Sequence, residues 1–386
     1  MSLPNSQEGP DRHRYWGNSM NRRDFLNFSA SAATSILIGS HVSAARDEEP
    51  VPSVQPRIPR RRGFNLPEFA GTDGKRYQES DFEWMADWNF DFARLPLSYW
   101  VWSDRNDWTK IDERALRPID EAIEFGRRYG IHINLNFHRI PGYCVNGREL
   151  EPFLLFESPR ESMEKALAAA VHHWRFFAAR YRGISNNRLS FDLINEPPWM
   201  QDQSRYVEIV RTLVAAIRAE DPGRLIVADG ADIGQTPVLG IADLGLVQST
   251  RGYIPKAVSH YTATWVPEAE FESFEKPSWP FVDKQGRKWD RALLREELIV
   301  KWQPLVEKGV PIHVGEWGCF NRTPHEVTLA WMTDLLALWK EAGWGWSMWN
   351  LRGPFGPIDS ERADVRYERF HGHKLDRKML ELLRAS

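Results

Sequence analysis

At 386 residues, with 42% hydrophobic and 27% charged side chains, the sequence suits one large domain or two ordinary ones and has a soluble globular composition. A net charge of −3 excludes the basic field that nucleic acid or an anionic membrane would call for. Two cysteines, Cys144 and Cys319, exclude a disulfide framework.

The chain starts with a segment unlike the rest. Arg22 and Arg23 precede Phe25 and Leu26, then a weakly apolar run and the small-residue cleavage pattern Val42-Ser43-Ala44. Residues 1–44 therefore read as a leader with a twin-arginine-type export signal, which predicts a periplasmic or extracellular protein. Met20 stands just before the arginines, so residues 1–19 read as an over-extended start or a long leader. No apolar run reaches ~18 residues, so no stable membrane span is expected. Residues 45–61, with several prolines and a basic run into Arg62, read as a linker.

From residue 62 to 386 short β-rich runs alternate with longer amphipathic stretches. The strands are expected at 62–66, 90–97, 131–138, 189–196, 225–230, 257–262, 311–318 and 345–351. Helical patterns fall at 112–129, 160–181, 203–220, 291–308, 325–342 and 373–384. Such alternation indicates parallel βαβ units. Eight repeats predict a single α/β domain, a (β/α)8 TIM barrel, with surplus length in the loops after the strands. A doubly wound open sheet is the alternative, but GFNLPEFAG after the first strand lacks its glycine-rich phosphate loop.

The polar residues cluster at one end of this pattern. Arg94, His138, Asn195, Glu196, His260, Tyr261, Glu316 and Trp349 all fall at or near the C-terminal ends of expected strands. In a barrel those ends meet at one rim, where active sites of the fold sit. Glu196 and Glu316 are the two carboxylates that the rim would bring together. Glycoside cleavage needs such a pair: one protonates the leaving oxygen, and the other attacks the anomeric carbon or activates water. The 18 tryptophans leave an aromatic core and a sugar-stacking groove both open. Trp199 and Trp317, beside the glutamates, and Trp265, Trp279 and Trp289 in the 263–290 loop are the stacking candidates. Segment 138–147 is expected to narrow the opposite side of the cleft.

Other chemistries find less support. HEVTL lacks a second metal-spaced histidine, no G-x-S-x-G elbow is present, and adjacent His172 and His173 read as a solvated surface. Cys144 and Cys319, expected on opposite sides of the barrel, are predicted to be free thiols.

These motifs together resemble glycoside hydrolase family 5, the cellulase-type retaining β-glycanases. LINEP resembles the family's Asn-Glu-Pro motif, and HVGEWG its nucleophile segment. The resemblance implies Glu196 as acid/base and Glu316 as nucleophile. It also implies substrate-site roles for Arg94, His138, Asn195, Trp349 and a His-x-Tyr-type pair, here adjacent, at His260 and Tyr261. Tyr261 would then donate a hydrogen bond to Glu316. The implied activity is double-displacement hydrolysis of a β-linked polysaccharide or oligosaccharide by a monomer, without metal or organic cofactor. β-1,4-Glucan is the expected substrate; β-mannan, β-1,3-glucan and smaller β-glucosides remain open. A carbohydrate-binding barrel without turnover is the rival of another class, and it would be expected to have a broken catalytic set.

Overall fold

Eight parallel strands close on themselves in the computed structural model: β1 (Arg62–Asn65), β2 (Phe92–Ser98), β3 (His132–Ile140), β4 (Leu189–Asp192), β5 (Ile226–Asp229), β6 (Val247–Gly252), β7 (Ile312–Trp317) and β8 (Gly345–Met348). Each pairs with the next, and β8 pairs with β1 through Gly63 opposite Ser347. The structure describes residues 58–386 except 72, 73 and 158, so the export signal and all but the end of the linker lie outside the described residues.

The principal helices are α1 (Glu79–Asp87), α2 (Arg117–Tyr129), α3 (Arg160–Arg180), α4 (Ser204–Glu220), α5 (Arg291–Leu298), α6 (His325–Ala342) and α7 (Arg377–Ala385). Their ends follow local chemistry. Pro118 sits in the first turn of α2, where a missing N–H costs nothing, and Gly130 ends that helix at φ 72°. Asp290 and Asp376 cap α5 and α7 by accepting backbone N–H bonds.

Strand faces divide the chemistry. Phe64, Leu95, Leu135 and Phe191 belong to the buried apolar layer with the helices. The interior is mostly polar: Arg94, Asn134, Ser190, Asp192, Ser249 and His313 converge there. At the N-terminal end this leaves a cavity of about 220 Å³ behind Ile58 and Pro59.

Seven of the eight expected strands form. The sixth does not: residues 257–262 lie in and just beyond a helical turn, Lys256–Ser259, which follows Pro255, and β6 lies upstream. Its sequence, VQSTRG, carries little apolar signal, yet all six residues are buried. Burial is tolerated because the polar groups are paired; Gln248, for example, bonds both backbone groups of Val238, at 3.0 and 2.8 Å.

Helix α1 was not anticipated, and the 291–308 stretch breaks at Val300–Trp302 into two helices. His173 is fully buried rather than solvated, accepting a 3.1 Å bond from the Trp102 indole. Both cysteines are free and buried, as expected. Among the described residues, no helix is long and apolar enough to cross a membrane.

Candidate active site

Strand order brings the polar ends of β2, β4, β5, β6 and β7 to one mouth. Arg94, on β2, is its pivot and is 1% exposed. Its Nε donates to Asp192 at 2.9 Å, and one terminal nitrogen reaches Asn65 at 3.0 Å and Glu316 at 2.5 Å. The other terminal nitrogen donates to Asn195 Oδ1 at 2.8 Å. Asn65 is fixed in turn by donating to the Gly315 and Ser347 carbonyls, at 3.0 and 3.2 Å.

A second arginine faces it. Arg251, on β6, donates from Nε to Glu196 at 2.9 Å and from a terminal nitrogen to Asn195 Oδ1 at 3.0 Å. Its two terminal nitrogens also grip the two oxygens of Asp229, and one stands 3.6 Å from Glu316. Two guanidinium donors thus converge on Asn195 Oδ1, which fixes the amide's orientation. The amide nitrogen is left buried with no protein partner among the described residues.

Glu196 follows β4 with φ 49°, a left-handed conformation that costs a non-glycine residue about 1–3 kcal/mol. Neighbours clamp it there. Its N–H donates to Asp229 at 2.8 Å, and its carbonyl accepts from the Tyr143 hydroxyl at 2.6 Å. Tyr143 comes from the short hairpin after β3, Arg139–Ile140 against Tyr143–Cys144. Segment 138–147 therefore buttresses Glu196 as well as flanking it.

Glu316 is aimed by a register irregularity in β7 between Val314 and Glu316. The Tyr253 hydroxyl donates to its free oxygen at 3.3 Å. This is the bond expected from Tyr261, which instead lies beyond the helical turn after β6. The residues that reach the glutamates from β6 and just beyond it are Arg251 and Tyr253, an Arg-x-Tyr pair with arginine where the resemblance placed histidine. His260 is buried against the Tyr253 ring, with centroids 5.0 Å apart, and its Nδ1 lies 2.8 Å from Ser259 Oγ.

The two glutamates are driven apart electrostatically. Burial and the neighbouring charge of Glu316 push the Glu196 carboxyl up to about 7, against the pull of Arg251. Burial would also raise Glu316, but Arg251 and Arg94 outweigh it and hold that carboxylate below its ordinary range. One carboxyl is thus suited to stay protonated near neutrality while the other is ionised. Burial keeps His138 neutral down to about pH 4.

The aromatic candidates separate. Trp349 is half-buried and stacks on His138, centroids 5.7 Å apart. Trp199 is 67% exposed. Trp317 is core, edge-on to Trp339 and Trp346. In the 263–290 loop, the Trp279 indole bonds Asp334 of α6 at 2.9 Å and Trp289 bonds Asp283 at 3.0 Å, so both anchor the loop. Trp265 packs against Phe320 at 4.8 Å.

Sequence reasoning missed Asn65, Asp192, Asp229, Arg251 and Tyr253. Asp192 and Asp229 could have been found: each is an acid within or ending an apolar strand, as in FDLINE and LIVADG. Arg251 and Tyr253 were hidden with the strand that carries them.

A family model for cellulase (glycosyl hydrolase family 5) matches residues 58–353. Endoglucanase C of Acetivibrio thermocellus is 26% identical over 312 residues, covering 75% of this chain and 88% of that protein. Cellodextrinase A of Ruminococcus flavefaciens is 26% identical over 281 residues, covering 69% and 76%. Among solved structures, one described as a glycoside hydrolase superposes with a TM-score of 0.79 at 36% identity, covering 84% of this chain and 99% of that one. Endoglucanase Cel5A of Thermotoga maritima, at 20% identity, shares the fold with a TM-score of 0.66 over 83% of this chain and 96% of that one.

Proposed function

The chain belongs to glycosyl hydrolase family 5, and on that premise we propose that it is a retaining β-glucanase whose reacting pair is Glu196 and Glu316. The carrying observation is that these carboxylates share one guanidinium, Arg251, while their surroundings push their proton affinities in opposite directions.

In the first step Glu316 attacks the anomeric carbon as the glycosidic C–O bond breaks, and Glu196 gives its proton to the departing oxygen. The product is a glycosyl ester on Glu316. That ester removes the negative charge that had helped raise Glu196. Glu196, now ionised, takes a proton from water, whose oxygen displaces Glu316 and restores both residues. Arg94 and Tyr253 steady the nucleophile. The unpartnered Asn195 amide nitrogen suits the sugar 2-hydroxyl, where a bond can strengthen in the transition state. Trp349 offers a stacking face beside the scissile bond, with His138 behind it. His260 supports Tyr253.

Relatives bearing the names endoglucanase and cellodextrinase support β-1,4-glucan as substrate. The twin arginines support export of the chain to the periplasm or the extracellular space, with residues 1–44 as signal and 45–61 as linker. A reporter joined to residues 1–61 should leave the cytoplasm only while Arg22 and Arg23 are intact.

The decisive experiment is Glu316→Ala assayed on an aryl β-glucoside. Turnover should fall about 10⁴-fold or more, and azide should restore it with inverted product. Normal turnover in that variant would overturn the assignment. A panel of β-1,4-glucan, β-1,3-glucan and β-mannan with product sizing tests the substrate.

A further inference from the structure

Arg251 is buried to 0% exposure and has room only because two backbone positions lack side chains. A Cβ at Gly315 would lie 2.8 Å from a terminal nitrogen of Arg251 and 2.3 Å from Ser249 Oγ. A Cβ at Gly234, at φ 74°, would lie 2.7 Å from the arginine's Cγ. Every nitrogen of the guanidinium is engaged, by Glu196, Asp229, Asn195, Ser249 and the Thr250 carbonyl. A fixed cation has therefore been built into the space between the two carboxylates, on the strand where the resemblance called for a neutral-capable histidine.

We propose that Arg251 is a positioning residue that ties Glu196 to Glu316 through one guanidinium, with Asp229 as its counter-ion, and so sets the charge in which both carboxylates work. The inference rests on Glu196 and Glu316 being the reacting pair. Arginine keeps its charge throughout the accessible pH range, whereas histidine would lose it near neutrality. The cation therefore carries the same charge in both half-reactions, while the charges on the two glutamates change around it. Asp229 absorbs part of the positive charge, so Glu196 is not stripped of the proton that it must donate. Asp229 also accepts the Glu196 N–H, so one acid fixes both the backbone of Glu196 and the cation on its side chain.

The other groups facing this cluster are Asp192 and Arg94 from β4 and β2, with His138 and Tyr253 beside Glu316 and Tyr143 beside Glu196. The nitrogens of Arg94 are committed to Asp192, Asn65, Glu316 and Asn195, so it does not replace Arg251 at Glu196. Removing Arg251 should therefore raise the proton affinity of both glutamates. Neutralising Asp229 should lower both.

The test is kcat/KM against pH on an aryl β-glucoside for the wild type, Arg251→Gln, Arg251→Lys and Asp229→Asn, each first checked for native circular dichroism. In Arg251→Gln both limbs should move to higher pH, by about one unit, with kcat reduced. Arg251→Lys restores the charge without the planar fork and should bring the limbs back toward the wild type. In Asp229→Asn both limbs should move to lower pH. A purely structural role would lower the rate with the limbs unmoved, and that result in Arg251→Gln overturns the proposal. If Arg251→Gln does not fold, unmoved limbs in Asp229→Asn overturn it. Failure of the underlying reading is distinct: Glu316→Ala would keep its turnover whatever these profiles show.

Discussion

The two ends of the barrel interior are both polar, yet they solve opposite problems. At the C-terminal mouth, Arg94, Arg251, Asp192, Asp229, Glu196 and Glu316 are packed with nearly every donor committed. At the N-terminal floor, beneath Arg94 and Asp192 and behind Arg61, the neutral side chains His132, Asn134, Ser190 and His313 line a cavity. Burial holds both floor histidines near 3, so they stay neutral where their exposed counterparts would begin to titrate. The mouth gives up stability to charges arranged for chemistry, whereas the floor holds polar groups that stay neutral. Buried charge without a partner is far more costly than a buried neutral imidazole. Substitutions that remove a cation at the mouth should therefore cost activity and stability together, and those at the floor stability alone.

The sharpest way to break that contrast is Arg94→Ala. It strands Asp192 and Glu316 without their shared cation, which should cost about 3–5 kcal/mol of stability and most of the turnover. Denaturant melts and kcat on an aryl β-glucoside measure both. A folded Arg94→Ala variant with near-normal kcat would show that the mouth is not organised around this residue.

Glu196→Gln comes next and separates the two costs. Because the carboxyl is raised from 4.5 to about 7, the folded state holds a proton that the unfolded chain releases. Stability is therefore fully present below pH 4.5 and is lost as pH rises through 7. That shift corresponds to at most roughly 3 kcal/mol at pH 8. Glu196→Gln should lose most turnover on unactivated substrates yet melt higher than the wild type at pH 8 and equally at pH 4. Equal melting at both pH values would mean that Glu196 pays no such penalty.

A smaller effect tests which tyrosine matters. Tyr253→Phe removes the hydroxyl that bonds Glu316 at 3.3 Å and should lower kcat by roughly 10-fold, about the worth of one hydrogen bond to a charged group. Tyr261→Phe should stay within about twofold. The reverse ranking would restore the residue that the sequence pointed to.

That tyrosine also marks where the sequence stops being legible. The barrel could be read because seven strands carry short β-rich runs, several with a polar residue at or near their C-terminal end, and the fold converts those ends into a rim. Glu196 and Glu316 were visible for the same reason, each closing an apolar run. β6 was opaque because its burial rests on partners far away in sequence: Gln248 on Val238, Arg251 on Asp229 and Glu196. A hydropathy pattern cannot register polar groups that are buried only because something distant satisfies them. The AVSHYT run at 257–262, just past Pro255, drew the expected strand downstream of β6. Asn65 was missed on similar grounds, since it carries no signal until β1 is set beside β2; Asp229, closing an apolar run, was legible as an acid but not as the partner of Arg251. The tryptophans show the converse limit. Composition left core and stacking groove both open; Trp317, Trp279 and Trp289 serve core and loop anchoring, and only geometry separates them from Trp349 and Trp199.

The floor yields the last and mildest prediction. His313 packs on Phe92, centroids 4.5 Å apart, and its Nε2 has no protein partner among the described residues. His132 is held by Ser190 at 2.7 Å and stacks on the same Phe92 ring, with centroids 5.4 Å apart. With burial holding His313 at about 3, the unfolded chain takes up a proton near 6.5 that the folded chain refuses. This residue's share of stability is therefore present above pH 6.5 and is lost as pH falls toward 3. His313→Asn, polar and smaller, should remove that share, flattening the acid side of the stability curve by up to about 2 kcal/mol at pH 5. At pH 7 turnover should stay unchanged, because no contact in the charged network passes through this ring. If His313→Asn altered the pH limbs of kcat/KM, the floor would be electrically coupled to the mouth, and the two ends of the barrel would have to be treated as one site.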